Sequence, residues 1–172
     1  MLMEQIRTNK MFAWARIKYW IPAIVAAAVI SIFSTHYFTP EQTERVILPI
    51  LHWFLPDASR GYLLHLHSGI RKLSHAAEFA VFSAAVFHAL RGPRAGWRLK
   101  WALLTFVIAV FYAVLDEFHQ SHVPLRHASP ADIGIDTLGA LLAQLVVWWY
   151  AKGMWPLAWI GKKPKLAKGR DR

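Results

Sequence analysis

Residues 101–118 read WALLTFVIAVFYAVLDEF, fifteen positions without a charge followed by an Asp-Glu pair. As a helix this stretch is about 27 Å long, close to the roughly 30 Å hydrocarbon core of a bilayer. Three further runs share its character: 20–38 with the core IPAIVAAAVISIF, 73–90, and 131–151. Each has about 18–21 residues, a membrane-span length. The fold expected is all-α, a polytopic membrane bundle of four transmembrane helices. The segment VILPILHWFLP, 46–56, is too short and Pro-broken to cross and reads as an interfacial or re-entrant piece.

Charge orients the bundle. The 172 residues carry 20 Lys+Arg and 10 Asp+Glu, a net charge of +10, with no Cys. A balance this basic suggests nucleic acid, but fifteen of the cations sit in three blocks, 1–19, 91–100 and 152–172, at the ends of apolar runs. That is the positive-inside pattern, so both termini are expected in the cytoplasm, with the bilayer and not nucleic acid as the partner. The domains expected are a basic N-terminus at 1–19, a membrane unit at 20–151 and a basic tail at 152–172. A signal peptide is disfavoured, because STHYFTP, 34–40, is a poor cleavage site. The lack of Cys excludes a disulfide scaffold, a thiolate zinc site and a cysteine nucleophile.

Within this frame the acids fall into one layer. Eight of ten acids and eight of nine histidines lie on the outer side or in the outer third of a span. Glu78, Asp116 and Asp136 belong to three different runs, yet each sits about 18–22 Å from the inner boundary. Left facing lipid, such acids would cost on the order of 10 kcal/mol together, so they must face each other, a cavity or cations. Helical spacing permits this. His75 and Glu78 share a face, as do Asp116, His119 and Gln120, and Asp132 and Asp136. Gly139 and Ala143 continue the last face with small residues that allow close approach.

Most of these residues have a second, structural reading. His75 with Glu78 suits a metal-ligand or general acid–base pair, or a buried pair that fixes packing. Asp116 and adjacent Glu117 point roughly 100° apart, so one can face the pocket while the other reaches elsewhere. Arg126 can clamp a phosphate or neutralise Asp116, Glu117 or Asp132. Asp132 follows Ser129-Pro130-Ala131, a helix start with Ser as N-cap, so capping alone can explain it. Asp136, one turn deeper, has no such explanation. His65 and His67 could join His75 on a metal, although loop histidines at an interface are usually just solvated. Of His119, His122 and His127, at most one is expected to line the pocket.

The combination KLSHAAEF (72–79), DEFHQSHVPLRHASPAD (116–132) and DTLGA (136–140) resembles the VanZ-like family of small bacterial membrane proteins. The family pattern is met by Lys72, His75, Glu78, Asp116, Glu117, Gln120, Pro124, Arg126, Ser129, Asp132 and Gly139, and SIFS places Ser34 in it. Two positions depart. Asp136 stands where many members carry Asn, and Phe79 where Tyr is usual. The resemblance implies a multi-span envelope protein, and the family's namesake is linked to tolerance of teicoplanin.

The function expected is binding or processing of a lipid-linked substrate, of the polyprenyl-phosphate or glycolipid type, in a polar pocket at the outer leaflet of the cytoplasmic membrane. As an enzyme it would be a hydrolase or transferase, with Glu78 or Asp116 as base, His75 as acid or ligand, Glu117 as a further catalytic carboxylate, and Lys72, Gln120, Arg126, Asp132 and Asp136 holding substrate. No cofactor is specified. A divalent metal on Asp116, Asp132 or Asp136 would offset their repulsion and activate water. The alternative is non-enzymatic, with the polar layer structural, binding a lipid or antibiotic, or modulating a partner. Transport is disfavoured because the inner halves of the spans carry almost no polar residues.

Overall fold

The computed structural model describes residues 17–152 apart from Leu125 and His127. The basic segment before residue 17 and the tail after 152 lie outside this range. Helices make up the described residues, with no strand among them: α1 (Ile21–Phe33), a 3-10 turn (His36–Phe38), α2 (Pro40–Phe54), α3 (Arg60–Arg91), α4 (Leu99–Ser121) and α5 (Pro130–Ala151). The all-helical membrane bundle expected is therefore present. Helices α3, α4 and α5 are each long and apolar enough to cross a membrane. Their outward residues, among them Val81, Val107, Phe111, Leu141 and Leu145, are exposed, as a lipid-facing surface requires.

The first apolar run differs. Helix α1 stops after 13 residues at Phe33, and only together with the following 36–54 segment does it pass as a span, bent by 68°. The physical reason is local and tertiary at once. Ser34 is buried and donates its hydroxyl to Asp116 Oδ1 at 2.6 Å. The Arg126 guanidinium takes the carbonyls of Phe33 and Phe38. Backbone freed by the break thus finds partners inside the protein, the condition for irregular chain at membrane depth.

Polar-looking sequence beyond the break is helical too. Thr39 caps α2 by accepting from the Gln42 amide at 3.4 Å, with Pro40 and Glu41 in the first turn. All but the last two residues of the segment expected as interfacial lie inside this helix, and Pro49 does not end it. Ser59 caps α3 by accepting from Tyr62 N. Helix α3 is 32 residues long, so it begins 13 residues before the span expected at 73–90.

Helix α3 is the hub, packing against each of the other four helices. Its tightest contact is with α5. A Cβ on Gly139 would overlap the backbone carbonyl of Ala76, so only glycine permits this approach. Two turns away Ser83 Oγ donates to Ala140 O at 3.0 Å and receives Gln144 Nε2 at 2.8 Å. Phe79, Phe82, Val86, Ala109 and Ala113 fill the core beside this seam. Tyr112 ties α4 to α1 through Ala27 O at 2.7 Å. Gly92 (φ 58°) and Gly96 (φ 80°) turn the chain between α3 and α4, in backbone conformations that L side chains resist.

Candidate functional site

The close α3–α5 contact sets the depth at which three polar side chains converge. His75 lies one residue before the Ala76 contact, Asp136 three residues before Gly139, and Asp116 enters from the last turns of α4. One ligand-capable atom each from His75, Asp116 and Asp136 lie within 4.8 Å of one another. Of the three acids expected at one depth, Asp116 and Asp136 belong to this cluster, and His75 stands in it where Glu78 was expected.

The members are held very differently. Asp116 is buried, and each of its oxygens accepts one hydrogen bond, from Ser34 Oγ at 2.6 Å and from Gln120 Nε2 at 2.7 Å. Asp136 is 0% exposed, and neither of its oxygens accepts a hydrogen bond. The Nδ1 of His75 stands 3.9 Å from Asp136 Oδ1, too far for a hydrogen bond. That Nδ1 is itself buried and without a hydrogen-bond partner, as is Glu78 Oε2. Burying such groups unpaired is expensive.

Cations flank this cluster. A cavity of about 180 Å³ is lined by Arg71, His75, Glu78 and Arg126 together with Thr43 and His67, and by apolar side chains of α1 and α2. A second, of about 200 Å³, shares Arg71, His75 and Arg126 and adds Lys72, Gln120 and Asp132. Arg126 is 8% exposed, and its Nε and Nη1 have no hydrogen-bond partner among the described residues. Burial pushes its guanidinium below the usual value, and the charge of Arg71 pushes the same way. Arg71 reaches Phe38 O at 3.0 Å and Thr43 Oγ1 at 3.3 Å.

Other expected residues fall elsewhere. Glu117 is buried, and its Oε2 accepts the Ser129 backbone N–H at 2.6 Å, at the N-terminus of α5. The Ser129 side chain makes no cap bond; instead a carboxylate from α4 accepts the backbone N–H of the N-cap residue itself. Asp132 is half-buried at the second cavity. His119 and His122 are exposed and line neither cavity, while His127 lies outside the described residues. His65 and His67 cannot share a metal with His75. Because 60–72 is helix, two positions apart means opposite faces; His65 is exposed and His67 buried, 3.0 Å from Thr43 Oγ1.

Arg71 and Thr43 are site residues that the sequence pattern does not single out. The spacing 67, 71, 75, 78 puts Arg71 on the face of His75 and Glu78 only once α3 is extended upstream.

The model of the VanZ/LLP1 family matches residues 11–151. The chain belongs to the VanZ/LLP1 family. No curated protein and no solved structure matches it. Every residue of the cluster and of the two cavities lies within the span that the VanZ/LLP1 model covers. As a VanZ/LLP1 member with three to four candidate spans, it is a multi-pass membrane protein.

Proposed function

We propose that the protein binds the phosphate-bearing headgroup of a lipid-linked envelope substrate at the polar end of its bundle and processes it there. The observation that carries this reading is the set of three cations, Arg71, Lys72 and Arg126, around two cavities that adjoin the His75–Asp116–Asp136 cluster, in a protein whose outer surface is apolar. Guanidinium and ammonium donors suit phosphate oxygens. At about 180 and 200 Å³ the cavities are at or below the small end of ligand pockets, suited to a headgroup while an acyl or prenyl chain stays in lipid. Hydrolysis or group transfer would draw on Glu78 or His75, both with an unpartnered polar atom.

The three basic blocks support a topology with the termini in the cytoplasm and this pocket at the outer leaflet of the cytoplasmic membrane. An influence on glycopeptide tolerance, as for the family's namesake, would follow from altering such a substrate pool. A second reading, in which the layer is structural, is favoured by the hydrogen-bonded Ser34–Asp116–Gln120 set and by the Glu117–Ser129 bond.

Native mass spectrometry of the protein purified in mild detergent separates them. Arg126→Ala is a poor probe, since it also frees the Phe33 and Phe38 carbonyls at the α1 break. Lys72 is exposed, so Lys72→Ala changes the cavity and little else. A copurifying polyprenyl-phosphate-class lipid in wild type, reduced at least tenfold in Lys72→Ala at unchanged thermal midpoint, is the expected result. No phosphate-bearing lipid in wild type, with Glu78→Gln unfolded, would establish the structural reading instead.

A further inference from the structure

We propose that His75, Asp116 and Asp136 form a binding site for one divalent metal ion. The idea goes beyond the lipid reading and stands without it. Three donors from three helices converge, one imidazole nitrogen and two carboxylate oxygens, with mutual separations within 4.8 Å. A point central to them lies ~2.8 Å or less from each, so closing by about 0.6–0.8 Å reaches the 2.0–2.2 Å of a zinc-type coordination sphere. Mixed imidazole and carboxylate donors suit Zn2+ and other first-row divalent cations, with remaining positions left for water or substrate.

A second, independent observation points to an ion. Asp136 is wholly buried, and neither oxygen has a hydrogen-bond donor. His75 Nδ1, facing it at 3.9 Å, is also unpartnered. These groups stand too far apart to satisfy each other and close enough to share a third body. Asp116 has the complementary feature. Ser34 and Gln120 occupy one hydrogen-bond position on each of its oxygens and fix the carboxylate plane, while each oxygen retains a further lone-pair direction. Outer donors of this kind orient metal-binding carboxylates.

Charge balance agrees. Asp116, Asp136 and Glu78 lie near one another, and the bonds that Arg126 makes go to the Phe33 and Phe38 carbonyls. A divalent ion would neutralise two acids that lie far from bulk water. It would also stand beside the cavities lined by Arg71 and Arg126, facing the same space.

The test uses the full chain purified in detergent, stripped with chelator and titrated with Zn2+, with Mg2+ as comparison. The readouts are bound metal by mass-spectrometric elemental analysis and the thermal unfolding midpoint. Wild type should bind one Zn2+ per chain and gain thermal stability. Asp136→Asn and His75→Gln should each weaken binding at least 100-fold and lose the Zn2+-dependent gain, while Ser83→Ala, outside the cluster, keeps both. Asp136→Asn preserves shape, so it reports even if Asp116→Asn does not fold. The proposal is overturned if wild type takes up no divalent ion, or if Asp136→Asn binds Zn2+ as tightly as wild type. Repeating the titration with Lys72→Ala keeps the two readings apart. Metal bound without lipid sinks the lipid reading alone, and lipid retained in a wild type that binds no metal sinks this one alone.

Discussion

Helices α3 and α5 meet along one seam, yet its two halves treat polar groups in opposite ways. Near the middle, Ser83, the Ala140 carbonyl and Gln144 form a closed set in which only Gln144 Oε1 goes without a partner. Two turns toward the other end, Asp136, His75 and Glu78 leave four polar atoms unmatched. The two helices are the same, and only the closure of the polar groups differs. On the metal-site proposal, the open set is the one that an ion would complete. The contrast also separates roles within the candidate site, since both oxygens of Asp116 and one of Glu117 are bonded whereas neither of Asp136 is.

The harshest way to break the comparison is to remove the seam itself. Gly139→Leu forces side-chain atoms into the Ala76 backbone, and the expected loss is ~3 kcal/mol or more, read as a collapse of folded protein recovered from membranes. Next come two substitutions of opposite sign. Ser83→Ala should destabilise by ~1–2 kcal/mol, because it strips the partners of Ala140 O and Gln144. Asp136→Asn in chelator should be stabilising by a similar ~1–2 kcal/mol, because it removes an unmatched carboxylate. Thermal midpoints of the two in one detergent decide it, and equal losses from both would erase the distinction.

A milder effect is expected at Ser34. Ser34→Ala frees Asp116 Oδ1 and loosens the α1 break, costing ~1 kcal/mol and weakening Zn2+ binding by ~10-fold, measured by the same titration. Least affected is stability in Lys72→Ala, with a change within ~0.5 kcal/mol for an exposed side chain, although copurified lipid falls.

Much of this arrangement is legible in the amino-acid sequence. Spans α3 to α5 follow from run length, the Gly139 approach from small residues at helical spacing, and the shared layer from counting acids back from the inner boundary. The break at Ser34 is not legible, because Ser34, Thr35 and His36 are too few to divide a run of span length and the residue that holds it open, Arg126, lies 93 positions from Phe33. Local pattern carries no trace of such a bond. Helix α2 and the first half of α3 are obscured for a different reason. Their sequences are amphipathic and flanked by prolines, which reads as loop in a protein otherwise judged by hydropathy. Thr39-Pro40-Glu41 and Ser59 are nonetheless ordinary helix starts.

The brevity of α1 has a consequence for the surrounding bilayer. Thirteen residues reach about 20 Å along the axis, some 10 Å short of an unperturbed hydrocarbon core. Lipids beside it must shorten their profile, through tilted or disordered chains, to avoid wetting the break. The bilayer is therefore expected to be thinner on this flank than beside α3 to α5. Its thermal midpoint should fall as reconstituting lipids are lengthened from 14-carbon to 20-carbon chains, and headgroups should dip toward Ser34 on that flank alone.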